Sequence, residues 1–590
     1  MATPAEAERA EGASGRRVFA AAATCAVVGV LLSALPDLLW WPRLGIPFWS
    51  WADRDDLFYL AAAAQAYDNH PLRLADPAVV AGGHNIYPWL QLGPGVLVAK
   101  VLGLGPLGIH IIWAVWAGLS ISLGLFLVIN HYLQQPWITA GLTILLLADH
   151  GSSIGQPLFR HMVCLGQWLS AEFGGQSGFD LKSLHNITFR IANPGLTLIY
   201  LLLHLWLIAR ARERPTWPRI IAAGLGFGLL FYVYFYYWTA AGLALMLALL
   251  LDAGHRRVYF HTGWIGGLIG LPAVISGILL KRSTALNWQL RSDFFVPIAR
   301  FSELLIPKMD LVLLAIGLVW VLRRRRDLIY LWALTTAGMV LANHQILSGL
   351  QIQNFHWLYY VAWWGLGLLL YLAIAGELFA RSARSRLAAG GLFALCVIYL
   401  ASGLWLRALE ATRTPASRAA LTECQHYREQ RFEPGAPRLV PNSVVAGDLA
   451  FVDYALILEN QRPVDDLAIV HSPSIDGPEW YARMALNAYL RGLDLPAFEA
   501  NRSPSEVEEW GPWANGRDPS QRAEHQARRR AAFEQVQADP AAALDRFRVR
   551  YVALPAEQTP PAYLEMGWQR LQAGPYWQIW ERTEPRRPGR

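Results

Sequence analysis

Arg16-Arg17, the run Val18–Trp40 (VFAAAATCAVVGVLLSALPDLLW), and then Asp53-Arg54-Asp55-Asp56 followed by Leu57-Phe58-Tyr59-Leu60 and Ala61 to Ala64 form the stretch whose reading decides the fold. Segment 18–40 is long enough to span a bilayer as a helix, and the arginine pair before it marks the cytoplasmic side. It lacks a small-residue cleavage site followed by a mature domain, so it reads as an anchor rather than a removed signal. The acidic cluster then emerges on the outer face at the membrane surface. Carboxylates beside hydrocarbon are costly, which makes this cluster a functional candidate by default. Segment 57–64 reads as an amphipathic helix lying along the interface.

Outward from this stretch the same pattern repeats. The chain has 590 residues, 54% of them hydrophobic, with 26 Trp and a mean hydropathy of +0.26; soluble domains are less apolar. Hydrophobicity is concentrated before residue 408. The expected fold class is therefore a polytopic α-helical membrane protein, a transmembrane domain over 1–407, with a C-terminal extracytoplasmic soluble α/β domain over 408–590. Eleven spans are expected, near 18–40, 106–128, 137–149, 189–209, 217–233, 238–251, 259–280, 309–322, 328–342, 357–377 and 387–406. Segment 86–103 is apolar but broken by Pro88, Gly93, Pro94 and Gly95, so it reads as re-entrant or interfacial.

The arginines test this topology. With the N-terminus inside, four cytoplasmic loops hold Arg210, Arg212, Arg214 and Arg219; Arg256 and Arg257; Arg323 to Arg326; and Arg381, Arg384 and Arg386. Loop 281–308 disagrees, because it should be outside yet holds Lys281, Arg282, Arg291, Arg300 and Lys308. Either the parity is locally different or these cations have a job. An odd number of spans places the tail outside a bacterial plasma (inner) membrane. The net charge of +7 reflects these topogenic arginines and not a nucleic-acid surface, since no basic stripe sits on a soluble fold. Of Cys25, Cys164, Cys396 and Cys424, two lie in spans; Cys164 and Cys424 are both expected outside, and no spacing pattern marks a disulfide framework.

In the tail, Val440 to Gly447, Leu467 to His471, Tyr551 to Leu554 and Trp577 to Trp580 read as strands, and 478–492 and 519–537 as helices. Strands alternating with helices imply a partly parallel sheet. The tail holds no Gly-rich phosphate loop, no Cys/His cluster and no nucleophile elbow, so it reads as a docking or lid domain.

The polar residues of the hydrophobic part gather in four outer segments. Loop 41–88 carries the acidic cluster, His70, Asp76, His84 and Asn85. Loop 150–188 carries His150, Arg160, His161, Glu172, Asp180, Lys182 and His185. Loop 281–308 carries its five cations and Asp293. Loop 343–356 carries Asn343, His344, Gln345, Gln351, Gln353, Asn354 and His356. A base, orienting donors and counter-charges for a phosphate are what group transfer requires. Each element also has a plainer reading: a solvated acidic surface, cations snorkelling to lipid phosphates, and, for the run Phe231 to Trp238, an interfacial aromatic belt rather than a sugar platform. Arg190, before Asn193-Pro194-Gly195 and close to His185, reads either as an interface anchor or as a fixed fork beside a lipid phosphate. The histidines and aspartates show no diagnostic metal spacing.

These residues resemble the GT-C superfamily of polytopic glycosyltransferases. There an acidic residue or pair follows the first span, and the protein mannosyltransferases and aminoarabinose transferases carry it as Asp-Glu-x-x-Tyr. Asp55-Asp56-Leu57-Phe58-Tyr59 is similar, with Asp56 in place of Glu. Arg190 to Gly195, Tyr234 to Trp238, and Asn343 to Gly349 running to His356-Trp357 look like an uncharacterised bacterial branch. The resemblance covers most of 15–405, and the tail by position only. It implies a polyprenyl-phosphate-linked sugar donor, a lipid, glycan or protein acceptor, and inversion at the anomeric carbon. It places the general base on Asp55 or Asp56, with Asp53 the third carboxylate of the cluster. Arg190, with Lys281, Arg282 or Arg291, would face the departing lipid phosphate. Asn343, Gln345 and His356 would bond the sugar or phosphate; His185, Asn193 and Tyr59 complete the substrate-binding set. The resemblance implies no certain cofactor, and a divalent metal at the acidic motif stays open, as some superfamily members use one. Two alternatives remain: an O-antigen ligase or polymerase-like enzyme, and a lipid or glycan transporter. A transporter is expected to put ionisable residues at mid-membrane and to show inverted repeats, and neither is visible.

Overall fold

The computed structural model describes residues 4–44, 56–78, 88–148, 195–283, 294–297, 300–301, 304, 308–379, 385–413, 415–466, 469, 472, 474–501, 519–565 and 567–583. The chain divides into two compact units. The first comprises Met1–Arg43, Ile111–Ile278 and Ile298–Thr414; the second comprises Leu44–His110, Leu279–Pro297 and Pro415–Arg590.

The first unit is helical. Its helices are α1 (Pro4–Leu44), most of α4 (Gly105–Leu133), α5 (Pro136–Ala148), α6 (Leu198–Glu213), α7 (Trp217–Leu230), α8 (Phe235–Leu251), α9 (Arg256–Ser283), α10 (Lys308–Arg324), α11 (Ile329–Leu341), the short α12 (Gln345–Ser348), α13 (Phe355–Phe379) and α14 (Ser385–Arg413). A helix overlaps each of the eleven apolar segments read from the sequence. Among the described residues, four stretches are long and apolar enough to cross a membrane: Gly15–Leu35, Gly105–Leu133, Ala253–Leu279 and Phe355–Phe379. The protein is a helical membrane protein.

Two helices show how such a unit packs. Helices α1 and α4 touch backbone to backbone, since a Cβ on Gly29 would lie 2.3 Å from the Gly118 carbonyl oxygen. Beside this contact Ser33 Oγ donates to the Ala114 carbonyl at 2.7 Å. Small residues and a hydroxyl bond across the seam are the usual means of helix association in lipid, where apolar burial offers no drive. Helix α11 packs against α8, α10 and α13 and is buried from Ile329 through Thr335. Helix α9 instead exposes Phe260, Trp264, Leu268, Leu271, Ile275 and Ile278, an outward stripe at helical spacing.

The second unit holds a five-stranded sheet. Its strands are β1 (Val444–Gly447), β2 (Arg462–Pro463), β3 (Val549–Pro555), β4 (Trp568–Ala573) and β5 (Trp577–Arg582), in the order β2-β1-β3-β5-β4. Strands β2, β1 and β3 run parallel; β5 is antiparallel to β3 and to β4. Helices α15 (Pro415–Arg431), α16 (Leu449–Leu458), α17 (Gly477–Leu490), α18 (Leu495–Ala500), α19 (Pro519–Ala538) and α20 (Pro540–Phe547) complete it. Four of these start on an aspartate whose carboxylate caps a backbone N–H: Asp448, Asp476, Asp494 and Asp539. Strand β1 ends at Gly447, with φ +113, where a Cβ would lie 2.0 Å from the Ala553 carbonyl oxygen of β3; no other residue fits.

Three expectations change. Strand β1 begins at Val444, not Val440. Ile469, the one described residue of the expected strand 467–471, lies in a helical turn. The third correction concerns α2 (Asp56–Asp68), read as an amphipathic interfacial helix. Tyr59 through Ala64, Gln65 and Ala66 are all buried. The helix packs against α3 (Trp89–Val101) and against α16 of the tail. From Tyr59 to Ala66 the side chains are buried in protein, so this stretch leaves no face to lie on water.

Candidate functional site

In the helical unit, polar groups collect at the two ends of α8, which its 17 residues put about 25 Å apart. At the C-terminal end Asp252 binds Arg212 Nε at 2.8 Å, accepts from Tyr259 Oη at 2.9 Å and lies 3.1 Å from His255 Nδ1. This is the arginine-bearing end, and the network neutralises a buried carboxylate.

At the N-terminal end the run Phe231 to Trp238 is no belt. Tyr234, Tyr236 and Tyr237 are buried. Tyr234 Oη lies 3.0 Å from His356 Nδ1. Tyr236 Oη donates at 3.2 Å to both the Ile352 carbonyl and Gln353 Oε1. Asn354 Nδ2 donates to Gln345 Oε1 at 2.8 Å, and Trp357 Nε1 donates to Thr239 Oγ1 at 2.9 Å. His356 is ringed by Tyr234, Tyr236, Phe355 and Tyr360. Asn343, Nδ2 bonded to the Met339 carbonyl, caps the preceding turn. His344 packs on Trp357, and burial lowers its pKa, so the neutral imidazole is favoured.

The backbone here is unusual in a way that fits a site. Gln353 has φ +44, a conformation that non-glycine residues hold only when surroundings enforce it. The next helix opens through a π-helical turn, Leu358–Ala362, a feature frequent at functional sites. The arrangement offers amides, a histidine and phenols held in fixed directions, the equipment for recognising hydroxyls or a phosphate.

The structure thus brings Gln345 and His356, from the expected set, into one polar cluster at the end of α8, with Asn343 just before it. Sequence reading quoted Tyr234 to Trp238 for the resemblance but left Tyr234 and Tyr236 out of the site, because the aromatic run was weighed as a belt over a sugar platform. It also missed Asp310, buried at the start of α10 with its Oδ2 accepting from Trp363 Nε1 at 2.8 Å. Asp53, Asp55, His185, Arg190, Asn193 and Arg291 lie outside the described residues, as does Cys164. Asp56 is the first residue of α2, and Lys281 and Arg282 lie in the last turn of α9. Tyr59 is buried in the second unit. Among the described residues no group of three His, Cys, Asp or Glu is placed to hold a metal ion.

The tail has the layout of an open α/β crevice. Strand β1 leads through α16 to β2 on one side, while β3 lies on its other side, and ligands of such sheets bind outside the carboxyl ends at this switch point. Here the chain's own side chains occupy it. The Gly447 N–H donates to Asn487 Oδ1 at 2.9 Å, and Asp448 Oδ1 accepts from Trp577 Nε1 at 2.9 Å. One buried polar group of this unit lies elsewhere, around Asp76. Its Oδ1 accepts from Ala78 N at 3.0 Å and its Oδ2 from Ser472 Oγ at 2.5 Å. Burial raises its pKa, and the bonds from Ser472 and Ala78 act against that rise. Arg462, also buried, has Asp76 and Asp68 as counter-charges.

No protein-family model matches the chain, and no curated protein matches it. Among solved structures it is similar to the Archaeoglobus fulgidus oligosaccharyltransferase in complex with zinc and sulfate, with 13% identity and TM-score 0.42 over 91% of this chain and 68% of that one. It is similar to the archaeal oligosaccharyltransferase AglB from Archaeoglobus fulgidus in complex with an inhibitory peptide and a dolichol-phosphate, with 12% identity and TM-score 0.36 over 92% and 69%. It is also similar to ArnT from Cupriavidus metallidurans bound to undecaprenyl phosphate, with 13% identity and TM-score 0.45 over 93% and 97%. AglB and ArnT are GT-C superfamily members. At identities and scores this low, neither a ligand nor a residue's role passes from them to this chain.

Proposed function

We propose that the protein is an integral membrane glycosyltransferase of GT-C type, which moves a hexosyl or pentosyl unit from a polyprenyl-phosphate donor to an extracytoplasmic acceptor. The observation that carries this reading is where the acidic pair falls in the chain: α1 ends at Leu44, and α2 begins at Asp56, the second residue of Asp55-Asp56-Leu57-Phe58-Tyr59. Carboxylates a short way along the chain from a membrane-length helix are placed for a base where a lipid-linked substrate meets water.

In the proposed step, Asp55 or Asp56 takes the proton of the acceptor hydroxyl as its oxygen attacks the anomeric carbon. The bond from that carbon to the phosphate oxygen breaks on the opposite face, and the lipid phosphate leaves with the electron pair. Arg190 and the cations of 281–291 answer the charge developing on the phosphate. Gln345, Asn343 and His356 orient the sugar. The tail lies outside the plasma membrane in this reading. The polar cluster at the end of α8 supports it, because the amides and His356 stand at the end away from the topogenic arginines.

The test compares lipid-linked sugars and surface glycans in cells carrying the wild type, Asp55→Asn or Asp56→Asn at matched protein levels. Loss of the general base lowers transfer by about 10²–10⁴-fold. A polyprenyl-monophosphate sugar then accumulates, and one glycan loses a single residue. Accumulation of diphosphate-linked chains would instead identify a ligase or polymerase. Full turnover in both variants would remove the base from this cluster.

A further inference from the structure

We propose that the tail is a positioning device for α2, and that Asp76 and Ser472 are the positioning residues that lock the segment after the acidic pair into the tail. Helix α2 has 13 residues, too few to be stable alone in water. It is a rod about 20 Å long whose N-terminal residue is Asp56 and whose side chains from Tyr59 to Ala66 are buried. Neighbours hold it on two sides, α3 and α16.

Its C-terminal end is tied down by a sequence of bonds. Lys100 Nζ donates to the Tyr67 carbonyl at 2.5 Å. Trp89 Nε1 donates to the Pro71 carbonyl at 3.1 Å. Gln65 Nε2 reaches forward to the Pro77 carbonyl at 3.3 Å. The chain then enters the tail itself: Ala78 belongs to the core that includes Val444, Ile469, Trp480 and Val552. Asp76, 1% exposed, joins Ser472 there. A carboxylate buried this deeply stays in place only while its donors do. A rod fixed along its flank and at one end has its other end fixed too. Group transfer is sensitive to a displacement of about 1 Å, which costs about 10²-fold.

The consequence for turnover rests on the transferase reading; the docking of α2 does not. The full-length protein in lipid nanodiscs is compared with Asp76→Asn, Ser472→Ala and Ser472→Thr, the last keeping the hydroxyl. Two readouts are taken: transfer kinetics with a polyprenyl-phosphate sugar, and amide hydrogen exchange of α2 against β3. The expected result is a kcat lowered about ten- to a hundredfold with donor KM nearly unchanged in Asp76→Asn and Ser472→Ala. Ser472→Thr recovers turnover. In the two impaired variants α2 exchanges faster while β3 keeps its protection. Unchanged α2 protection in both, or α2 and β3 loosening together, overturns the proposal. If the wild type transfers no sugar, the transferase reading fails, and the exchange data still decide whether the tail holds α2.

Discussion

Helices α9 and α2 are both apolar, and the structure uses them in opposite ways. Helix α9 turns Phe260, Trp264, Leu268, Leu271, Ile275 and Ile278 outward, while α2 buries every side chain from Tyr59 to Ala66. Large exposed residues on a long helix suit lipid, which solvates them as well as protein does. Small residues on a short helix suit a site where neighbours close in from all sides. The contrast lies in size as much as in hydrophobicity: α2 carries alanine at 61 to 64 and at 66, and α9 carries aromatic and branched residues on its stripe.

The strongest blow to this contrast falls on the host of α2. Gly447→Ala forces a Cβ against the Ala553 carbonyl at φ +113. Strain and overpacking together cost more than about 3 kcal/mol. The tail sheet, and α2 with it, is expected to melt first in a thermal scan followed by hydrogen exchange, while α9 keeps its protection.

Next comes a paired substitution. Ala62→Leu in α2 adds volume where none is free and costs about 1–3 kcal/mol. Leu268→Ala in α9 trims a lipid-facing side chain and costs about 0.5 kcal/mol. Denaturation of each variant in the same detergent checks both. Equal losses would mean that α2 is not packed as described.

A smaller change sharpens the role of the buried end of α8. Tyr234→Phe deletes the hydroxyl beside His356 and is expected to cost about 0.5–1.5 kcal/mol. It should also weaken donor binding while leaving the exchange of α9 amides unaltered.

The smallest effect is a pH slope. Burial raises the Asp76 pKa above its ordinary value of about 3.9. The folded tail then binds more protons than the unfolded chain over the interval above that value. Its contribution is present in full at acid pH and is lost as pH rises through the folded pKa. Asp76 thus contributes stability that falls as pH rises above about 4, and Asp76→Asn should flatten that part of a profile of tail stability against pH. Arg483 and Arg462 are cations that act on Asp76.

Much of the helical path was legible because an apolar run in a membrane chain has few alternatives to a helix. The partly parallel sheet of the tail was also legible, since β1, β3 and β5 fall within or over the runs read at 440–447, 551–554 and 577–580, β1 starting four residues late. Its capping aspartates, Asp448, Asp476, Asp494 and Asp539, are local too, but the sequence reading did not single them out. The candidate site was legible by residue type: Asn343, Gln345 and His356 were recognisable as amides and a histidine between apolar helices. Their partners were not. Tyr234 and Tyr236 meet His356 and Gln353 across more than a hundred positions, and Asp76 meets Ser472 across 396.

The sequence by itself determined that this is a helical membrane protein with a polar α/β tail, and it located an acidic pair directly after the first long helix. Periodicity, length and charge are local quantities, so a single strand of text holds them. Only the tertiary structure decided that α2 belongs with the tail, that the aromatic run around Tyr234 closes over His356, and that the sheet's switch point is filled by Asn487 and Trp577. Each of these is a choice among partners distant in the chain. Such a choice is made by fit and by the need of buried polar groups for one another, neither of which leaves a mark on neighbouring residues.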